Sequence, residues 1–227
     1  MPAKSTDRLT ALTFYYGQSH GKEIDCAAQV SEALGIEHKL VDISFLGSVA
    51  WYSALTNPQQ FPVPEDRSSD RMAASIPITY VPVRNTIFLS LAAAYLESNV
   101  LYALEVEGEC PADVQATLFM GPNAIDYSGY PDCRPEYFEK MRESLVYGSK
   151  LWAEYQVPMA IETPIIRMSK KEIVQFGVQL QAPLDLTWSC YQAGNAPCGR
   201  CDSCVLRAKG FQEAGLTDPA LLRLKAG

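Results

Sequence analysis

The sequence predicts an α/β fold, a parallel sheet flanked by helices, closed near its C-terminus by a four-cysteine zinc site. Two observations carry the prediction. Apolar runs of strand length alternate with longer runs of helical periodicity from Leu9 to Glu162, the order that βαβ units produce. Cys190, Cys198, Cys201 and Cys204 then follow at a spacing that suits one tetrahedral ion. The 227 residues allow one substantial core, so the expected organisation is a single domain over 1–227 with a zinc-binding subregion over 186–214.

Leu9 to Tyr16 is rich in apolar, aromatic and Thr residues and stops at Gly17, which predicts a buried strand. Residues 22–34 place Ile24, Ala27, Ala28, Val30, Ser31 and Leu34 on a helical face that Gly35 ends. Glu37 to Ile43 completes a βαβ unit, whose crossover is right-handed and whose strands are parallel. Residues 55–82 form a long polar loop punctuated by Pro58, Pro62, Pro64 and Pro77. Loops of that length are usually functional or disordered, and closure over a pocket is the expectation here. Arg84 to Leu96 has no Gly or Pro and predicts an apolar helix packed on the sheet. Ala116 to Met120 is a short strand, Pro135 opens a helix reaching about Gly148, and Pro158 to Glu162 is a further strand. Ser169 with Glu172 three residues on is a capping box. A last helix is expected from Asp202 to Ala214, closed by Gly215.

Composition bounds the function. A formal charge of −7 argues against sequence-independent binding to nucleic acid, which needs a basic face. The first residues have no apolar core of signal-peptide length. The longest apolar stretch, Thr86 to Leu96, is too short to span a bilayer, so no membrane partner is expected. A cytoplasmic location follows, and seven cysteines kept reduced there call for a metal or a catalytic role.

The cysteines have the form C-x7-C-x2-C-x2-C, in which two-residue spacers let consecutive thiolates converge on one ion. Gly199, Asp202 and Ser203 suit a tight knuckle, and Gly194 with Pro197 suits a turn that returns Cys190 to the others. Disulfides, an iron–sulfur cluster and thioredoxin-like chemistry are the competing readings, and zinc is the expected occupant. Four thiolates leave no position for water, so the ion would be structural. A nucleic-acid zinc ribbon is the rival role, for which the cluster offers only Arg200, Arg207 and Lys209 as nearby cations.

Three other groups of residues are candidates for ligand binding. Asn123 and the loop after it, with Asp126, Tyr127, Tyr130, Asp132 and Arg134, sit where a parallel strand ends. Ligands bind at such carboxyl ends, and a heterocycle could stack on the tyrosines while carboxylates accept its N–H groups. The same residues would also serve a surface loop that caps its own turns. Arg84 and Asn85 open a helix, where a positive side chain joins a positive dipole and favours an anion, unless Arg84 is simply solvated. Tyr16 and Gln18 end the first strand on the ligand side of a parallel sheet, and His20 follows them.

The stretches Phe14–Gln18, Pro82–Thr86, Asn123–Pro135 and Thr187–Tyr191, with the tail Cys198–Phe211, closely resemble the QueC family of 7-cyano-7-deazaguanine synthases. The run Asp126-Tyr127-Ser128-Gly129-Tyr130-Pro131-Asp132-Cys133-Arg134 is the most specific of them. The resemblance implies an ATP-pyrophosphatase-like fold (adenine-nucleotide α-hydrolase-like) with one zinc per chain in a homodimer. It implies an ATP-dependent C–N ligase in queuosine biosynthesis, acting on 7-carboxy-7-deazaguanine and ammonia with ATP as cosubstrate and Mg2+ beside it. Asp126, Tyr130 and Asp132 would then hold the deazaguanine, and Arg84 and Asn85 anionic groups.

Three departures from the family pattern stand out. The Ser-Gly-Gly-x-Asp-Ser loop that cradles ATP phosphates does not occur in these residues, and the expectation is that it lies upstream of Met1. Without its strand the sheet would keep two raw edges. Tyr15 stands where the family usually has Asp, and Leu104 to Gln115 reads as an acidic insertion carrying Glu105, Glu107, Glu109 and Asp113. A shortened paralogue that binds a deazaguanine without ATP chemistry, or another ATP-pyrophosphatase such as a tRNA thiolase, are the alternatives.

Overall fold

The computed structural model describes residues 8–18, 21–124 and 129–226, so the expectations placed on His20, Asp126 and Tyr127 lie outside the described residues. In chain order the elements are β1 (Thr10–Tyr15), α1 (Lys22–Ala33), β2 (Glu37–Asp42), α2 (Leu46–Val49), α3 (Ser69–Ala73) and α4 (Arg84–Glu105). They continue with β3 (Ala116–Phe119), α5 (Pro135–Tyr147), α6 (Lys150–Tyr155), β4 (Met159–Glu162), α7 (Lys170–Gln179), α8 (Asp202–Glu213) and α9 (Pro219–Ala226).

Two compact units are present, each with its own parallel strand pair. The first comprises residues 1–71, 78–82 and 170–227, and the second 72–77 and 83–169. In the first unit β1 pairs parallel with β2, Thr10 opposite Glu37 through Tyr15 opposite Asp42. α1 is the crossover between them, with Glu23 and Asp25 in its first turn, where acidic side chains favour the helix dipole. In the second unit β3 pairs parallel with β4, Ala116 opposite Met159. Among the described residues each strand has a strand partner on one side only.

α4 runs nine residues past its expected end, because nothing from Leu96 to Glu105 breaks a helix. By length and composition alone α4 could cross a membrane, an 18-residue window within it having a mean hydropathy of 1.5. However, Ala93, Val100 and Leu104 pack with Ala116, Leu151, Val157 and Met159, which makes α4 the core helix of its unit. The expected insertion 104–115 therefore divides into the end of α4 and one 3-10 turn at Pro111–Asp113. α6 was not legible in advance. Ser149 starts it by accepting a hydrogen bond from Trp152 N at 3.2 Å, and its Leu151 is fully buried.

In the first unit α7 and α8 cross closely at Gly210. A Cβ there would come within 2.9 Å of Lys170 Cβ and 3.1 Å of its carbonyl oxygen, so only glycine fits the crossing. α7 begins at Lys170, which leaves Ser169 just before it where the capping box expects it.

Candidate metal and ligand sites

The four predicted cysteines converge. Their sulfurs lie within 4.8 Å of one another, and Cys190, Cys201 and Cys204 are buried. The turn at Gly199, with φ +74°, folds Cys198 and Cys201 toward a common centre. Backbone amides point at the sulfurs. Gln192 N and Cys198 N each donate to Cys190 Sγ at 3.3 Å, while Arg200 N and Cys201 N donate to Cys198 Sγ at 3.4 and 3.3 Å. Such N–H donors favour thiolate over thiol. A hydrogen bond from Cys204, followed by backbone N–H donors, lowers the Cys201 thiol to about 5. The same bond holds the proton on Cys204, and burial raises Cys190. Crowded thiols that cannot all ionise alone are what a metal cation resolves, so this donor set fits one.

The packing around the cluster joins distant parts of the first unit. Ala54 and Val63 are buried against Cys190, Cys201 and Cys204, with Phe61, Ile78, Trp188 and Tyr191 at the margin. The nearby cations are committed to carboxylates. Arg207 donates through Nε and Nη2 to Asp218 at 2.6 and 2.8 Å, and through Nη1 to Thr187 and Ser189 hydroxyls. Arg200 donates to Asp66, and Lys209 stands 3.8 Å from Glu213. Of the three, only Arg207 is held in a buried pair; Arg200 and Lys209 stay 60% and 46% exposed.

Tyr16 and Gln18, also in the first unit, are both buried. Gln18 Oε1 accepts from Tyr16 N at 2.8 Å, and its Nε2 donates to Glu23 Oε1 at 2.9 Å. The glutamine thus stitches the end of β1 to the first turn of α1.

The second unit brings Arg84, Asn85 and Asp132 together. Asn85 N donates to Asp132 Oδ2 at 3.2 Å, and Asn85 Nδ2 to the Asp132 carbonyl at 3.0 Å. A carboxylate 47 residues away in sequence therefore caps α4, and it is only 6% exposed. Burial pushes the Asp132 carboxyl above the usual range, against the lowering effects of the Asn85 amide and the Arg84 charge. The Arg84 guanidinium lies 5.8 Å over the Phe88 ring. Asn123 Nδ2 donates to the Ile165 and Met168 carbonyls, tying the chain after β3 to the chain after β4. Tyr130 is half-buried, and Arg134 is exposed at the start of α5.

Sequence reasoning missed two features here. Val83, immediately before Arg84, holds φ +59°, a left-handed conformation that a β-branched residue adopts only under strain. Thr86 Oγ1 and Tyr137 Oη lie 2.8 Å apart. The extended-looking Pro-Val-Arg sequence gave no signal of the first, and 51 residues separate the second pair.

The parallel strand pairs and the four-thiol centre define an α/β protein with a C-terminal four-cysteine knuckle that could hold a metal ion. Comparison with known proteins narrows the class. The family model described as "Queuosine biosynthesis protein QueC" matches residues 1–215. A protein of Trichodesmium erythraeum called 7-cyano-7-deazaguanine synthase is 44% identical over 212 residues, covering 93% of this chain and 87% of the relative. Proteins of the same name from Thermoplasma acidophilum and Thermoplasma volcanium are 42% and 45% identical, covering 79% and 78% of their lengths. The chain belongs to the QueC family.

Proposed function

We propose that this chain converts 7-carboxy-7-deazaguanine and ammonia, with ATP, into the nitrile 7-cyano-7-deazaguanine. The observation that carries the reading is the QueC match over residues 1–215, with relatives of one shared name at 42–45% identity. The chemistry needs ATP because a carboxylate is a poor electrophile. Activation makes an acyl species that ammonia attacks, giving the amide. A second activation of the amide oxygen lets it leave while the nitrogen loses two protons, forming the nitrile.

Each group of residues has a role in this reading. Asn123, Asp126, Tyr130, Asp132 and Arg134 serve the deazaguanine, Arg84 and Asn85 its anionic groups, and Tyr16 and Gln18 the nucleotide. Asn85, Asp132 and Gln18 also hold local backbone through the hydrogen bonds above, which would orient them for these contacts. Zinc is the ion assigned to Cys190, Cys198, Cys201 and Cys204, with 186–214 as its subregion of one QueC domain. The full set of thiolates gives it a structural role. Mg2+ would accompany ATP. The protein is taken to be a cytoplasmic homodimer, in a compartment that keeps thiols reduced for a metal.

The test is a reaction of the purified protein with 7-carboxy-7-deazaguanine, ammonium and Mg·ATP, read by mass spectrometry. ATP-dependent nitrile is expected. Binding of the acid by calorimetry, with neither ATP binding nor nitrile, would replace the enzyme with the binding-module alternative. Thiolated tRNA as the product would replace it with a thiolase.

A further inference from the structure

Part of the long loop, residues 61–67, is fastened to the cysteine knuckle through Phe61, Val63, Glu65, Asp66 and Arg67. Glu65 pairs with Cys201 in an antiparallel bridge, and Asp66 N donates to the Arg200 carbonyl at 2.9 Å. Charged side chains reinforce the backbone match. Arg200 donates to Asp66 Oδ2 at 2.9 and 2.6 Å and reaches Glu65 Oε2 at 3.1 Å. Gln192 Nε2 donates to Glu65 Oε1 at 3.2 Å. Arg67 grips both oxygens of Asp202 with its fork, and the two side chains are only 17% and 10% exposed. Val63 is buried against three of the four cysteines. Asp66 has φ +53°, a left-handed conformation that Asp adopts more readily than most residues.

These contacts fall on Gln192, Arg200, Cys201 and Asp202, which lie beside or between the ligand cysteines. The strap therefore packs on the same short segment that carries the four cysteines. We infer that residues 61–67 are an outer wall of the metal centre, coupled to it in both directions, with Arg67 as the positioning residue. Metal occupancy docks the strap, and the docked strap slows metal exchange. The strap also forms one wall of a cavity of about 490 Å3, lined by Pro58, Pro62, Val63 and Glu65 on its side and by Gln192 and Ala193 on the other. The ion thus fixes both walls of that cavity. The proposal rests on the cysteines holding a metal, as read above, and it revises the loop as a lid. Residues 61–67 belong to the fixed part of the protein whenever the knuckle is filled.

The experiment uses the full zinc-loaded chain. In Arg67→Gln, zinc passes to a chromogenic chelator about tenfold faster or more than in the wild type, in line with the usual effect of losing an outer-shell contact. Limited proteolysis cuts within 58–68 while zinc is still bound. Because Arg67→Gln strands a buried Asp202, the double variant Arg67→Gln/Asp202→Asn is measured beside it and shows the same faster release without a large loss of stability. A measurement on the unmodified protein needs no variant. The Asp66 amide exchanges slowly with zinc bound and at least about tenfold faster after chelation. Wild-type release rates in both variants, or an Asp66 amide indifferent to zinc, would overturn the coupling. Protein purified without any bound metal, and unable to take zinc up, would instead remove the metal reading beneath it.

Discussion

The cysteine knuckle and the start of α4 hold the two strongest clusters of candidate residues, and they turn out differently. At the knuckle the four side chains meet with their sulfurs turned toward one point and backbone amides aimed at them. At α4, Asn85 and Asp132 meet each other, and Asn85 N and Nδ2 are engaged by Asp132 Oδ2 and its carbonyl in closing a helix end. The first is built to receive something; the second is built to hold something still. In both, residue type announces polarity in the sequence, but only the partner says whether a side chain faces a ligand or its own backbone.

Substitutions at the two places should separate them. Cys201→Ser has the largest expected effect: bound metal is lost by elemental analysis, and cooperative unfolding of the first unit weakens by several kcal/mol, since structural zinc sites are worth about 10 kcal/mol or more. Arg207→Ala comes next. It strands Asp218, whose side chain is 6% exposed, and should cost about 3–5 kcal/mol in denaturant unfolding. An unchanged midpoint would mean that the pair does not anchor the knuckle. Asn85→Ala should cost about 1–3 kcal/mol, because the buried Asp132 carbonyl loses its donor.

The Asp132 carboxyl gives a pH signature with a definite sign. Its folded pKa is raised by burial, so the neutral acid is the form the fold prefers. The stability it contributes is complete below the ordinary carboxyl range and is lost as pH rises through the raised value. Asp132→Asn should therefore gain on the wild type as pH increases across that window, and parallel pH profiles would contradict the burial argument. Val83→Gly has the smallest expected effect. Relief of the left-handed strain should outweigh the added chain entropy and stabilise the protein by about 1 kcal/mol.

The sequence made some of this legible and hid the rest for physical reasons. The first βαβ unit was readable because six-residue strands and a twelve-residue helix each carry enough periodicity to declare themselves. The cysteine cluster was readable because all four sit in one short segment at a spacing that suits a metal ion. α2, α3 and α6, of four to six residues, complete too few turns to show a face. The strap could not be foreseen at all. Arg67 and Asp202 are 135 residues apart, and a Pro-rich polar stretch reads the same whether it is free or pinned. The Asn85–Asp132 cap was hidden likewise, since both residue types also suit a ligand site.

A closed four-thiolate knuckle that organises the unit around it makes a direct spectroscopic prediction. X-ray absorption at the zinc edge on the purified protein tests it most directly. The prediction is one zinc per chain with four sulfur neighbours at about 2.3 Å and no nitrogen or oxygen in the first shell. A spectrum with oxygen or nitrogen ligands, or iron in place of zinc, would contradict it.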